Sequence, residues 1–361
     1  MQKYNIDIKF IDASNWQELS WFNSGGTRAK KVLQDPVGNR YYFKCSEKKL
    51  ARNGKAEKYY KYEFWNEVIA YQLGKNLGLN ILRYDVAVFD GEIGCLSPQM
   101  TIIGEEQLLE IGRFMTAINS DFLPEDNSTR NKYTFHLLED TLEYFNIHKY
   151  WNFIFETLLF DTIIGNTDRH QENWAFIGKT NLVAEGLSHL EERAKNNALN
   201  WVVRKFCNTF LNKKNELNEI GKQLVLENLN ISKTAPIYDS GSSMARELTE
   251  ERIKSLLANE IELNNYIDNG KSELHWDNRK ISHYDLIDEL LNSSYAEQVR
   301  KASVFLSNWQ PDLIFLILEQ VNLVVPERKK TYCIPKDRKE LIIKLVTLRI
   351  NKLINLISAG V

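Results

Sequence analysis

The chain has 361 residues, more than twice a rough 150-residue domain, so it is long enough for one large domain or two lobes and excludes a mini-protein. Hydrophobic residues make up 43% and charged residues 26%, with 17 Gly and 7 Pro, a composition that excludes a disordered or fibrous chain. The formal charge of −2 provides no general basic field for nucleic acid, and direct nucleic-acid binding is not expected.

In chain order, Ser24-Gly25-Gly26-Thr27-Arg28-Ala29-Lys30 is a Gly-containing basic loop. Its backbone N–H groups and positive charge suit phosphate, although it is not a Walker A sequence. Arg40 to Cys45 alternates as a strand, with Tyr42 and Lys44 on one side and Tyr41 and Phe43 on the other. Tyr62 to Leu77 carries Phe64, Val68, Tyr71 and Leu77 near helical spacing, and Gly78 suits the helix end. Asp90-Gly91 between the strand-like runs Tyr84–Phe89 and Glu92–Leu96 predicts a hairpin.

From about residue 130 the pattern turns helical. Trp151, Ile154, Phe155, Leu158, Leu159, Thr162 and Ile163 form the apolar stripe of a helix on a core, with Gly165 after it. Residues 180–233, rich in Glu, Lys and Asn, read as a polar insertion. Leu341 to Ile357 is a further amphipathic helix, with Lys344, Arg349 and Lys352 beside its apolar stripe, and it reads as a helix closing the core.

The four cysteines are scattered without a C-x-x-C pair, so neither a zinc cluster nor a disulfide framework is expected and a reducing cytosol fits best. There is no apolar run of about 18 residues and the N-terminus lacks a signal-peptide core, so a cytoplasmic protein without a membrane span is expected; signal-independent secretion as an effector stays open.

Two polar segments concentrate the chemistry. In Asn166-Thr167-Asp168-Arg169-His170-Gln171-Glu172-Asn173, an Asp is followed five residues later by an Asn. That is the spacing of a phosphotransferase loop in which the Asp orients or deprotonates the attacking hydroxyl and the Asn ligates Mg²⁺. Alone, the spacing favours a polar loop satisfying its own backbone. His170 is placed to reach a transferring phosphoryl group. Downstream, Tyr238-Asp239-Ser240-Gly241 ends an apolar run in Asp-x-Gly, a way of presenting a second Mg²⁺ carboxylate before a sharp turn at the Gly. Asn173 and Asp239 would offer hard oxygens to the ion, and ATP phosphates and water the rest. Lys44 suits the α and β phosphates, held by Glu63 or Glu67 from the helix.

Asn166, Asp168, His170 and Asn173 in N-x-D-x-H-x-x-N spacing resemble the catalytic loop of HipA-like Ser/Thr kinases, and Tyr238-Asp239-Ser240-Gly241-Ser242-Ser243 is similar to their metal motif. Asn66-Glu67, followed by Leu73 and Leu77-Gly78-Leu79, resembles their N-E helix, which favours Glu67 over Glu63. The resemblance spans about residues 20–325. It implies an α+β, bilobal protein-kinase-like fold with a β-rich N-lobe over residues 1–100 and a mostly helical C-lobe over 101–361. It further implies ATP and Mg²⁺ as cofactors, Lys44 as the phosphate lysine, Asp168 as the catalytic Asp, and Asn173 and Asp239 as metal ligands. Ser97 to Thr101, including Pro98, Gln99 and Met100, would be the hinge that holds adenine.

The family implies a protein substrate and a possible antitoxin partner. Its Gly-loop autophosphorylation would fall on Ser24 or Thr27, in a surrounding sequence that differs. With the Gly loop starting at residue 24, the chain resembles the minimal, CtkA-type members more than HipA toxins, which usually carry an additional N-terminal subdomain. The long Asp168-to-Asp239 spacing is a departure caused by the insertion. Two rival readings remain: a phosphatidylinositol-type lipid kinase, whose N-T-D-R loop matches Asn166 to Arg169, and a nucleotide-binding pseudokinase acting as a docking protein.

Overall fold

The computed structural model describes residues 4–20, 30–46, 48–50, 57–124, 126–179 and 231–359. Strands β1 (Phe10–Asp12), β2 (Gln17–Glu18), β3 (Lys31–Gln34), β4 (Arg40–Cys45), β7 (Asp85–Phe89) and β8 (Glu92–Pro98) form a six-stranded sheet in the order β1-β7-β8-β4-β3-β2. β1 runs parallel to β7 and the other neighbours are antiparallel. β1 has no counterpart among the elements read from the sequence: its three residues are too few for a pattern, and pairing with the edge of β7 makes it a strand. A short antiparallel hairpin, β5 (Lys48–Leu50) with β6 (Glu57–Tyr59), follows β4.

The β7–β8 turn has φ of 49° at Asp90 and 76° at Gly91, the doubly left-handed turn whose twist matches that of the strands. In β4 the alternation places Phe43, with Tyr41 beside it, against Ala13, Leu33, Ala87, Phe89 and Leu96 on one face of the sheet. Tyr42 and Lys44 line a cleft on the other. Helix α1 (Glu63–Leu77) packs on β7 and β8. Nearly every side of it is buried, including the polar residues Glu63, Asn66, Glu67 and Gln72, so its role exceeds that of an apolar stripe.

The rest of the described chain is mainly helical: α2 (Ile111–Ile118), α3 (Phe135–Tyr144), α4 (Trp151–Ile164), α5 (Glu250–Ala258), α6 (Glu260–Asp268), α7 (His283–Leu291), α8 (Ala296–Ala302), α9 (Asp312–Val321) and α10 (Lys336–Ala359). A three-stranded antiparallel sheet, β9 (Glu106–Glu110), β10 (Ala175–Lys179) and β11 (Ile231–Thr234), has β10 at its centre. Because Phe176 pairs with Thr234 and Ile177 with Lys233, the chain leaves and re-enters the fold on adjacent strands. The polar insertion read at 180–233 is thus carried by a strand pair, and its residues 180–230 lie outside those described.

α4 corrects the expectation of a stripe: from Phe153 to Ile164 all but Glu156 are buried, because α7, α8 and α10 surround it. On α10, Arg349 lies beside the apolar stripe in sequence and is itself taken into the core. That side chain is buried beneath Gly165, where Nη1 donates to Ile164 O at 3.1 Å and places positive charge at the C-terminus of α4. One continuous apolar core runs from α1 through α4 to α10. Among the described residues, no helix is long and apolar enough to cross a membrane.

Candidate active site

Lys44 emerges from β4 into the cleft with only 9% of its side chain exposed, a burial that is unfavourable for an ammonium unless it is paired. Two carboxylates pair with it: Glu67 Oε1 at 2.6 Å, from the middle of α1, and Asp239 Oδ1 at 2.7 Å, from the segment after β11. Glu63, the other helix candidate, faces Arg246 instead. Glu67 also uses its second oxygen, Oε2, to accept the backbone N–H of Ser240 at 2.8 Å. The strand lysine, the helix carboxylate and the Asp-x-Gly segment therefore meet at one point.

The segment 239–244 turns differently from the sequence expectation. Its left-handed residues are Asp239, with φ of 57°, and Met244, with φ of 46°, and not Gly241. Gly241 is needed for space: a Cβ there would lie 2.9 Å from Glu67 Oε1 and 3.2 Å from Glu63 Cγ. Asn66 Nδ2 donates to Gly241 O at 3.3 Å and to Ser243 O at 2.5 Å, and Ser243 Oγ donates to Ser240 O at 2.6 Å. Tyr84, buried, lies next to Asp239, whose backbone N–H reaches its hydroxyl at 3.4 Å. Burial first, and then the charges of Glu67 and Asp239, push the Tyr84 phenol well above its ordinary pKa, so it stays neutral.

The catalytic-loop candidate starts at the left-handed Gly165, with φ of 64°, which ends α4. Its frame is Asp161, one turn back in α4. Arg169 donates to Asp161 Oδ2 from Nε at 2.8 Å and to Oδ1 from Nη2 at 2.9 Å, and Asn166 Nδ2 donates to Oδ1 at 3.0 Å. Burial alone would lower the pKa of Arg169, but the charge and hydrogen bonds of Asp161 hold it above its ordinary value. Arg169 Nη1 also reaches Asn173 O at 3.3 Å and Tyr238 O, tying the two motifs together. The residue that matched a lipid-kinase loop is thus an internal brace, 2% exposed.

Asp168 donates its backbone N–H to Asn166 Oδ1 at 3.3 Å in a tight turn, and its Oδ2 accepts the Ser242 hydroxyl at 3.0 Å. Asn173 Nδ2 donates to Asp168 O at 2.9 Å, which turns the amide so that Oδ1 is its other polar atom. His170 lines the cleft, partly exposed, with Nδ1 at 3.9 Å from Glu172 Oε2.

One cleft is lined by Lys44, His170, Asn173 and Asp239 together with Tyr42, Leu82, Tyr84, Ser97, Gln99, Met100, Thr101 and Leu108, and Asp168 is not among its lining residues. Of the expected hinge residues, Ser97, Gln99, Met100 and Thr101 line it, while Pro98 does not and instead pairs in register with Tyr41. Gln99 continues the strand, its N–H donating to Arg40 O at 3.0 Å, and its side-chain Nε2 donates to Thr101 Oγ1 at 3.1 Å. Ser24, Gly25, Gly26 and Thr27 lie outside the described residues.

The sequence motifs contain Asn66, Arg169 and Ser242 without giving them a role, and Asp161 stands outside those motifs. A signal existed for Asp161, one of two acids in an otherwise apolar helix, since a carboxylate on such a helix needs a partner if it is buried. Among the described residues no cluster of three or more His, Cys, Asp or Glu suited to a metal is present. Asn173 and Asp239, two hard-oxygen side chains on one cleft, fit a divalent ion that draws its remaining ligands from phosphate and water.

No family model matches the sequence, and no curated protein matches it. Among solved structures, the Helicobacter pylori proinflammatory kinase CtkA superposes with a TM-score of 0.66 over 96% of both chains, at 17% sequence identity. HipA of Shewanella oneidensis, from a complex with HipB and operator DNA, aligns at a TM-score of 0.38 and 11% identity over 96% of this chain and 69% of that one, a likeness too slight to argue from. The chain thus has the α+β, kinase-like fold of CtkA, the architecture its resemblance to HipA-like kinases implies.

Proposed function

We propose that the protein is an ATP- and Mg²⁺-dependent phosphotransferase of HipA-like kind that acts on a Ser or Thr hydroxyl of a protein. The observation that carries this reading is the double pairing of Lys44 with Glu67 and Asp239, which links a strand, a helix and the Asp-x-Gly segment at one charge. A scaffold has no need of a buried lysine braced in this way, and a phosphotransferase does: the cation must sit where phosphate charge gathers.

In this reading Lys44 binds and orients the α and β phosphates, with Glu67 fixing its rotamer. Asn173 and Asp239 hold the metal ion, which when bound offsets the charge of the phosphates. Asp168 orients the acceptor hydroxyl and takes its proton as the phosphoryl group leaves ATP, so catalysis is mainly positional and electrostatic. His170, at the cleft edge, is placed to donate to the moving phosphoryl oxygens. Gln99, Met100 and Thr101 frame the base, and Ser24 or Thr27 is the proposed site of autophosphorylation.

Incubation of purified protein with Mg²⁺ and γ-labelled ATP tests this. Label is expected in the protein itself or in a protein of a cell extract, and Asp168→Ala should lower transfer by at least a hundredfold, a typical general-base loss. Equal labelling by wild type and Asp168→Ala would refute the reading. Nucleotide binding with no transfer would support the pseudokinase, and labelling of phosphoinositide vesicles in place of proteins the lipid kinase.

A further inference from the structure

A run of hydrogen bonds connects helix α1 to Asp168 through the segment after Asp239. Glu67 and Asn66 hold Ser240, Gly241 and Ser243 by their backbone, through the contacts at 2.8, 3.3 and 2.5 Å described above. The same segment is tied to the catalytic loop, with Thr167 N donating to Ser242 O at 3.4 Å and Met244 N to Ile164 O at 2.9 Å. Between these two sets of ties sits Ser242, 6% exposed, whose hydroxyl donates to Asp168 Oδ2.

We propose that Ser242 is a positioning residue: its hydroxyl fixes the plane of the Asp168 carboxylate so that the carboxylate meets the acceptor hydroxyl in line with the phosphoryl group. The physical reason lies in the freedom of an aspartate, whose terminal torsion is broad and roughly two-fold. One hydrogen bond from a donor that cannot move removes that freedom, and Ser242 is such a donor because α1 and the catalytic loop clamp its backbone on either side. Small angular errors at a catalytic group cost large factors in rate. The proposal rests on the phosphotransferase reading and adds that the element holding Lys44, helix α1, also sets the aim of Asp168.

The test compares wild type with Ser242→Ala, Ser242→Cys and Ser242→Thr by steady-state transfer rates, by the Kd of a fluorescent ATP analogue and by the thermal midpoint. Loss of one hydrogen bond to a charged group predicts a kcat lower by roughly 10- to 100-fold for Ser242→Ala. KM for ATP, the analogue Kd and the thermal midpoint should stay near wild type. Ser242→Cys keeps the volume but is a weak donor and should resemble Ala, while Ser242→Thr should recover most of the rate. A wild-type kcat in Ser242→Ala or Ser242→Cys overturns the proposal. So does a loss of rate matched by an equal loss of analogue binding, which would make Ser242 a structural part of the nucleotide site. A wild-type protein that transfers no label refutes the phosphotransferase reading itself and the proposal with it, a result distinct from either of the others.

Discussion

Arg169 and Asp161 are 2% and 1% exposed, and each depends on the other to remain charged away from water. Removing one partner of such a pair leaves an uncompensated charge, and the usual loss is about 3–5 kcal/mol. Arg169→Ala is therefore expected to destabilise the protein by that amount in urea unfolding. Arg169→Lys, which keeps the charge but loses the two-pronged contact with Asp161, should fall between Ala and wild type. A loss below about 1 kcal/mol for Arg169→Ala would show that the pair is not the frame described here. The residue next to the proposed catalytic Asp thus acts in folding, even though its position in the motif invites a catalytic role.

At the scale of elements, the distance between α1 and the Asp-x-Gly segment is set by the missing side chain of Gly241. Glu67 cannot withdraw from an added Cβ without giving up Lys44 or the Ser240 N–H. Gly241→Ala should cost about 1–3 kcal/mol by overpacking and lower phosphoryl transfer at least tenfold. Gly91→Ala is the control: its φ of 76° is strained for alanine, but nothing lies within 4 Å of the new Cβ. It should cost about 1–2 kcal/mol in stability and leave transfer unchanged. Rates and urea midpoints for both variants separate the two effects, and equal transfer by Gly241→Ala and wild type would remove the argument from close approach.

For the molecule as a whole, the continuous core makes local titrations global. His283, on α7, is buried, and burial first, then the charge of Arg349, lowers its pKa from 6.5 to about 3. Below pH 6.5 the unfolded chain binds a proton that the folded chain refuses until about pH 3. Stability is therefore lost as pH falls through this window, with a slope of up to about 1.4 kcal/mol per pH unit. Between pH 7 and 5 this one group should contribute about 2 kcal/mol of loss. His283→Gln should lose less by that amount when urea midpoints are compared at the two pH values, and an identical loss in the variant would refute the assignment.

Much of this architecture could be read along the chain, for reasons that are local. Asp90-Gly91 has the backbone freedom its turn requires, β4 alternates because a pleated strand must, and the polar runs around Asp168 and Asp239 interrupt apolar segments. Other features depend on what lies opposite. Glu63 and Glu67 are equivalent in helical spacing; the N-E resemblance favours Glu67, and the packing of α1 against the sheet gives Glu67 to Lys44 and Glu63 to Arg246. Arg349 is a cation beside an apolar stripe whose burial is decided where α4 ends on top of it, and Gly241 looks like a turn until Glu67 stands beside it. A sequence records the intrinsic preference of each residue, but burial, ion pairing and steric room are relations between segments far apart in the chain, and they come into being when the core closes.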